Sequence, residues 1–246
     1  MAPTLFISDL HLSPARPQLV AAFHAFIEGP ARSAKALYIL GDLFDAWIGD
    51  DQLREPLAAG VARALRELSA RGVPVFLQTG NRDFFLGEQF AQACGATLLP
   101  DAIVHDVHGT PTLLMHGDLL CTDDIEYQRF RAYRQDPKRR RRFLALPYSI
   151  RRAVAAILRF GSHRATNSKS EVIMDVNADA VIAAMREHRV SRLIHGHTHR
   201  PARHALEIDG QSGERWVLAD WYRTASYLSV DAMGIEAHVL DAEVRQ

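Results

Sequence analysis

Short apolar runs alternate with helical patterns through the first half of the chain. Apolar runs predict β-strands at 4–8, 36–40 and 73–79. Between these runs, apolar residues recur every three or four positions, which predicts one amphipathic helix after each of the first two strands, the second stopping at Gly72. This alternation is typical of β-α-β units with parallel strands.

The pattern changes after two shorter predicted strands, around 103–107 and 111–115. From about 122 to 170 the chain is helical in pattern, strongly basic and without strand runs. The change of periodicity predicts a helical cap inserted into the domain at 122–170.

Sheet patterns return in the last third of the chain. An amphipathic helix is predicted at 177–189 and a strand at 192–195. Polar and apolar residues then alternate from about 202 to 240, as in β-hairpins. We therefore expect one α/β domain spanning residues 1–246, with the cap inside it.

Composition narrows the class of protein. With 48% apolar residues the chain can bury a core, and Lys+Arg balance Asp+Glu at 29 each. The balanced charge indicates no general attraction to nucleic acid. Cys94 and Cys121 form no disulfide framework, and no leader or membrane-spanning run is visible. We therefore expect a cytoplasmic protein.

Nitrogen and oxygen donors follow five predicted strand ends. Because ligands bind outside the carboxyl ends of strands in open α/β sheets, we expect these donors to meet at one rim. They are Asp9, His11, Asp42, Asn81, His116, His197 and His199. Such donors suit Mn, Fe or Zn, and the two carboxylate oxygens of Asp42 can bridge two ions.

The motifs that carry these residues match a known pattern. SDLH, GDLFD, GNRD, MHGD and GHTH resemble, in order, the five blocks of the calcineurin-like metallophosphoesterases. The resemblance implies a four-layer α/β/β/α sandwich and two divalent ions, of which Mn²⁺ is a frequent choice. It implies one ion on Asp9, His11, Asp42 and His199, and a second on Asp42, Asn81, His116 and His197.

One position departs from that family's usual pattern. Most members carry a histidine after the Asn81 equivalent, where it assists the leaving group, whereas this chain has Arg82. Arginine grips phosphate but donates no proton usefully. A leaving group that is itself a phosphate needs less protonation, so Arg82 favours a pyrophosphate substrate. The implied catalytic residues are Asp9, His11, Asp42, Asn81, Arg82 and His116.

Longer blocks of sequence narrow the resemblance to one group of enzymes within this family. LYILGDLFDAWIGDD, GNRDFFLG, MHGDLLCTDD, NSKSEVIMDVN and LIHGHTHRPA resemble the UDP-2,3-diacylglucosamine diphosphatases of lipid A synthesis. That resemblance implies attack on the α-phosphorus by a hydroxide shared between two ions, which yields lipid X and UMP. It also implies substrate contacts from Asn81, Arg82, Asp124, Ser162, Thr166, Lys169 and His197. Thr166 stands where the relatives usually have Asn, and Asn167 follows it.

The cap sequence fits a lipid-handling role. Apolar positions such as Phe130 and Ile157 recur at helical spacing and are interleaved with arginines, including the run at 138–142. A basic amphipathic segment of this kind can lie on an anionic membrane and admit acyl chains. The same stripe could instead pack on its own domain, and the arginine run could touch nucleic acid.

Other functions remain open at this point. A hydrolase of cyclic nucleotides or dinucleoside polyphosphates, a nuclease, and a non-catalytic metal-bound scaffold would each use the same donors. We favour the diphosphatase, with a nucleotide-linked glycolipid as substrate and peripheral contact with the anionic inner membrane. We expect no nucleic-acid partner and no obligate protein partner.

Overall fold

A computed structural model describes residues 2–166, 175–222 and 224–240, with backbone alone for 158–166. Its strands form two sheets of mixed direction. The strands are β1 Thr4–Ile7, β2 Ala36–Leu40, β3 Val75–Gln78, β4 Thr97–Leu98, β5 Ala102–Val107, β6 Thr110–Met115, β7 Arg192–His195, β8 Ala202–Ile208, β9 Gln211–Val217, β10 Ser226–Val230 and β11 Ile235–Val239. The sheet orders are β11-β10-β1-β2-β3-β4 and β5-β6-β7-β9-β8.

Seven α-helices connect or cap these strands within the described residues. They are α1 Pro17–Glu28, α2 Pro56–Ala70, α3 Glu88–Cys94, α4 Ile125–Gln135, α5 Pro137–Leu144, α6 Tyr148–Thr166 and α7 Ala178–Glu187. Three of them begin with proline, which fits the first helical turn because its missing N–H has no partner there anyway. None of the described helices is long and apolar enough to cross a membrane.

The alternating directions of the side chains along β1 show how the layers form. Leu5 and Ile7 pack against α1, α2 and α3, whereas Phe6 points to the other side of the sheet. There Phe6 meets a second core that includes Leu114 and Ile194 from the opposite sheet. Successive side chains of a strand face opposite sides, so a strand apolar at every position is buried on both faces.

A third core completes the sandwich. Val181 and Met185 of α7 pack on Leu113 and Leu193, on the outer face of the second sheet. The layers therefore run helix, sheet, sheet, helix, and the predicted four-layer α/β/β/α architecture is confirmed. The parallel strands β1, β2 and β3 end at the same edge of the first sheet.

The cap consists of α4, α5 and α6, joined to the sandwich by buried arginines. Arg131 and Arg134 are only 8% and 7% exposed, and Arg151 donates to the Ile48 carbonyl and pairs with Asp51. Arg131 and Arg134 therefore face the sandwich and not the solvent. A buried guanidinium keeps its charge, so it must face carboxylates or carbonyls.

Candidate metal centre

Five of the seven predicted donors have an unusual backbone conformation on the loops that leave the sheet ends. Asp9, His11, Asp42, His197 and His199 all have positive φ, between 47° and 72°. Only three other described non-glycine residues do so. This conformation costs free energy for residues with a Cβ, and it is retained where surrounding structure enforces it, commonly at functional sites.

Asp9, His11 and His199 form the first group of donors. Each offers one ligand atom, and these atoms lie within 4.8 Å of one another. His199 Nε2 is 3.2 Å from Asp9 Oδ1 and 3.5 Å from His11 Nε2. Three donors that converge at such distances can hold one ion between them.

Asp42, Asn81, His116 and His197 form the second group. Asn81 Oδ1 lies 2.9 Å from both His116 Nε2 and His197 Nδ1. Asp42 Oδ2 lies 3.8 Å from His116 Nε2 and 3.8 Å from His11 Nε2. Asp42 thus stands between the two groups, where the sequence predicted a bridging carboxylate.

Close backbone approach explains two glycines in the motifs. A Cβ on Gly80 would lie 2.1 Å from Asp42 Oδ1, and one on Gly196 would lie 2.3 Å from Asp9 Oδ2. Both distances are far below any real contact, so a side chain at either position would displace a carboxylate. Glycine is required because the backbone passes directly beside the donor atoms.

The charge balance of the pocket fits divalent cations. Asp9 and Asp42 are at most 1% exposed, and among the described residues neither is ion-paired with a lysine or arginine. Buried carboxylates are costly without a compensating cation. The nitrogen and oxygen donors around them are those that bind Mn²⁺, Fe²⁺ or Zn²⁺.

The pKa values of the buried donors also show that the site favours positive charge. Burial raises the pKa of Asp42 to about 7, and the Asp83 and Asp9 carboxylates reinforce this rise. Burial disfavours the charged His116 ring, yet Asp42 and Asp9 together raise the pKa of His116 to about 9. Burial lowers the pKa of His11 to about 3. Metal ions compete with protons for these lone pairs, so metal binding at this site releases protons.

Asp83 fixes the two loops that carry Asp42 and Asn81. Its buried carboxylate accepts the N–H groups of Leu43 at 2.8 Å and Gly80 at 2.7 Å. The N–H groups of Asp42 and Phe44 bond to it as well, and four backbone donors on one carboxylate hold both loops in a single geometry. Asp83 therefore supports the donor set without belonging to it.

Arg82 lies at the edge of the pocket. Its N–H donates to Asp42 Oδ1 at 2.7 Å, and its carbonyl accepts from Trp47 N–H at 3.2 Å. Within the described residues its guanidinium makes no hydrogen bond or ion pair. Burial is the main cause of the lowered pKa of His11, and the positive charge of Arg82 adds to it.

The other predicted substrate contacts are placed less directly. Asp124 caps α4, where it accepts the Tyr127 N–H at 3.0 Å. Ser162 and Thr166 belong to the stretch of α6 described by backbone alone, and Lys169 lies outside the described residues. His195, which the sequence did not assign as a ligand, is buried and bonds through Nδ1 to the Gly196 carbonyl at 2.8 Å.

A sixth strand end, which the sequence pattern did not predict, also reaches the rim. β9 runs parallel to β7, so the residues after Val217 reach the same rim. There Asp220 Oδ2 lies 3.3 Å from His199 Nδ1, and Tyr222 stacks on His11. Alternation at 202–240 indicated antiparallel hairpins, which hid this parallel pairing. The polar residues after the run ending at Leu218 were the available signal.

The cap contributes a second set of missed contacts. Asp118 accepts hydrogen bonds from Tyr127 Oη at 2.6 Å and Arg131 Nε at 2.8 Å. Arg134 donates from one nitrogen to the Asn81 carbonyl at 2.8 Å and from the other to Tyr127 Oη at 3.0 Å. The cap is thus bonded to a residue of the donor set.

Comparison with known proteins agrees with this geometry. The family model for calcineurin-like phosphoesterases matches residues 2–201. The chain belongs to this family. A Salmonella arizonae protein named UDP-2,3-diacylglucosamine hydrolase is 53% identical over 95% of this chain and 97% of its own length. A protein of that name from Cellvibrio japonicus is 50% identical over 94% and 96%.

The resemblance drawn from the longer motifs is therefore confirmed. Among solved structures, an archaeal phosphodiesterase aligns at a TM-score of 0.48 and 11% identity, covering 97% of this chain and 99% of that one. Similarity at this level has no functional implication. The family itself implies divalent metal ions, and the convergent donors described above suit them.

Proposed function

We propose that this phosphoesterase hydrolyses the pyrophosphate bond of UDP-2,3-diacylglucosamine and releases 2,3-diacylglucosamine 1-phosphate and UMP. The observation that carries the proposal is the convergence of seven donors on one rim in a chain whose relatives bear that substrate in their names. We assign the donors to two ions, most simply Mn²⁺, with Asp42 between them.

The bound ions supply Lewis acidity, which lowers the pKa of water and neutralises phosphoryl charge. Asp9, His11 and His199 hold one side of the centre, and Asn81, His116 and His197 the other. Arg82, whose backbone N–H bonds to Asp42, contacts the phosphoryl oxygens through its guanidinium. Because arginine stays protonated, it stabilises charge without donating a proton. This arrangement suits a phosphate leaving group, which departs without protonation.

The cap supplies an apolar surface for the acyl chains. Six large apolar side chains on it are 39% to 71% exposed: Ile125, Phe130, Tyr133, Leu146, Ile150 and Ile157. Outside the cap, only Met233 and Val239 are comparably exposed among the described residues. Apolar surface beside exposed arginines also suits peripheral contact with an anionic inner membrane. Asp124, Ser162, Thr166 and Lys169 are the remaining proposed substrate contacts.

Turnover of the lipid substrate in ¹⁸O-water tests the proposal. Purified protein with Mn²⁺ and detergent is given UDP-2,3-diacylglucosamine or bis-p-nitrophenyl phosphate. We expect chelator-sensitive formation of labelled UMP, far faster than cleavage of the generic diester. Label in the lipid phosphate would contradict attack on the α-phosphorus. Brisk diester cleavage without lipid turnover would favour a soluble nucleotide as the substrate.

A further inference from the structure

Metal-binding histidines are usually held in place through the ring nitrogen that faces away from the metal. His116 follows this rule, because its Nδ1 donates to the Leu40 carbonyl at 2.9 Å. His199 follows it through Asp220, whose Oδ2 lies 3.3 Å from Nδ1. His11 is different. Its Nδ1 is buried and has no hydrogen-bond partner in the described part of the chain.

An aromatic stack takes the place of that hydrogen bond. The Tyr222 ring lies nearly parallel to the His11 ring, with 5.0 Å between centroids and 12° between planes. The Arg16 guanidinium carbon lies 4.2 Å from the centroid of the same Tyr222 ring. Arg16 and His11 come from one loop, between β1 and α1, and Tyr222 comes from the loop after β9. The stack therefore joins two loops at the rim.

The loop that carries Tyr222 is firmly anchored. Trp221 is fully buried, its indole N–H donates to the Ser226 carbonyl at 2.9 Å, and its backbone N–H donates to the Asp9 carbonyl at 3.2 Å. Asp220 Oδ1 accepts the Tyr222 N–H at 2.9 Å, while its other oxygen faces His199. One carboxylate thus connects the two supports.

We propose that Asp220 and Tyr222 are positioning residues that hold His199 and His11 ready for the ion on the Asp9 side of the centre. The inference rests on the two-metal centre proposed above. Asp220 fixes the His199 ring through its carboxylate oxygen 3.3 Å from Nδ1, and Tyr222 fixes the His11 ring by stacking. The tyrosine hydroxyl has no part in this role, so phenylalanine serves equally well at position 222.

Titration of the metal-free protein with Mn²⁺ alone tests this assignment. Calorimetry gives the affinity of each site, and electron paramagnetic resonance distinguishes a spin-coupled pair of ions from a single one. In Tyr222→Ala and Asp220→Asn we expect one site to weaken about 10- to 100-fold, the other to keep its affinity, and the coupled spectrum to fade. Tyr222→Phe should stay within about twofold of wild type. Tyr133→Ala, which removes an exposed tyrosine from the cap, is the matched control.

Different failures of this experiment have different meanings. Wild-type affinity at both sites in Tyr222→Ala and Asp220→Asn would overturn the positioning role. Equal losses in Tyr222→Phe and Tyr222→Ala would also overturn it, because stacking would then not be the operative contact. Failure of the wild-type protein to bind two ions would instead reject the metal centre of the proposed function. If the alanine variant unfolds, Tyr222→Leu replaces it, because leucine keeps the apolar bulk and removes the stacking ring.

Discussion

The rim and the cap both bury charge, but they compensate it differently. At the rim, Asp9 and Asp42 are buried with histidines and without arginine or lysine ion pairs in the described structure, on backbone of positive φ. In the cap, Arg131 and Arg134 are buried, and carboxylate or carbonyl oxygens accept their N–H groups. In the cap, the protein itself compensates the buried charge. At the rim, the protein leaves the buried negative charge partly uncompensated, and this residual charge favours the binding of metal ions.

The largest expected effect comes from removing the carboxylate of Asp42, which we propose lies between two ions. Asp42→Asn keeps the side chain's shape and an oxygen that can accept the Arg82 N–H. It removes the charge shared by the two groups of donors. We expect turnover to fall by at least about 10³-fold at saturating Mn²⁺, because transition-state charge loses its preorganised compensation. Steady-state kinetics on the lipid substrate measure this loss, and substantial residual activity would reject the two-ion arrangement.

The same substitution should stabilise the metal-free protein. Burial raises the pKa of Asp42 to about 7, so its carboxylate is costly to keep charged inside the fold. Without ions, Asp42→Asn should gain about 1 kcal/mol against urea, because it removes a buried charge that His116 compensates only in part. Unfolding curves in chelator and in Mn²⁺ measure this gain. Wild type should be the more stable protein only with metal, and the absence of this reversal would show that the rim is already compensated.

Removing a buried charge from the cap should destabilise the protein, in contrast to removing one from the rim. Arg131 pairs with Asp118 at 2.8 Å and Asp101 at 2.6 Å. Arg131→Met should lower the free energy of unfolding by about 3 kcal/mol with or without metal, because it removes the closer of the two arginines paired with the buried Asp118. Urea unfolding measures the loss. Arg129→Met, at an exposed position of the same helix, is the control and should change little. A small effect at Arg131 would mean that the cap is held by other contacts.

The donors at the rim were predictable because the features that mark them lie next to one another in the sequence. Each donor follows an apolar run directly, so the end of a strand and the residue type were enough to place Asp9, Asp42, Asn81 and His116. Placing donors after apolar runs failed at β9, because the parallel pairing of β9 with β7 depends on residues far apart in the sequence. Asp220 and Tyr222 were missed for that reason alone.

The cap was less predictable for a different physical reason. Helical spacing shows which residues share a face, but it does not show what that face meets. Arg131 and Arg134 lie three residues apart and turn inward to Asp118 and Asn81, whereas Arg129 and Arg141 face solvent. The inward partners come from other elements, and the sequence alone could not pair them.

Exposed apolar residues of the cap should affect the lipid substrate alone. Replacing Phe130 and Ile157 together by serine should lower kcat/KM for UDP-2,3-diacylglucosamine by about 30-fold, through roughly 2 kcal/mol of lost acyl contact. Cleavage of bis-p-nitrophenyl phosphate should not change, since the rim is untouched. Met233→Ser removes a side chain that is 94% exposed and outside the cap, which makes it the control. Equal losses on both substrates would indicate that the cap acts on the rim rather than on the acyl chains.

The smallest expected effect distinguishes an arginine that faces solvent from one that faces the protein. Arg141 is exposed on α5, whereas Arg140 is half-buried and donates to the Phe84 carbonyl. A basic side chain near an anionic surface contributes about 1 kcal/mol, so Arg141→Gln should weaken binding to phosphatidylglycerol vesicles about fivefold. Arg140→Gln should leave vesicle binding unchanged and instead lower the free energy of unfolding. Cosedimentation at low and high salt measures the first effect, and added salt should erase the difference between Arg141→Gln and wild type. If both variants bind vesicles as wild type does, the cap contacts the substrate without contacting the membrane, and the six exposed apolar side chains serve the acyl chains alone.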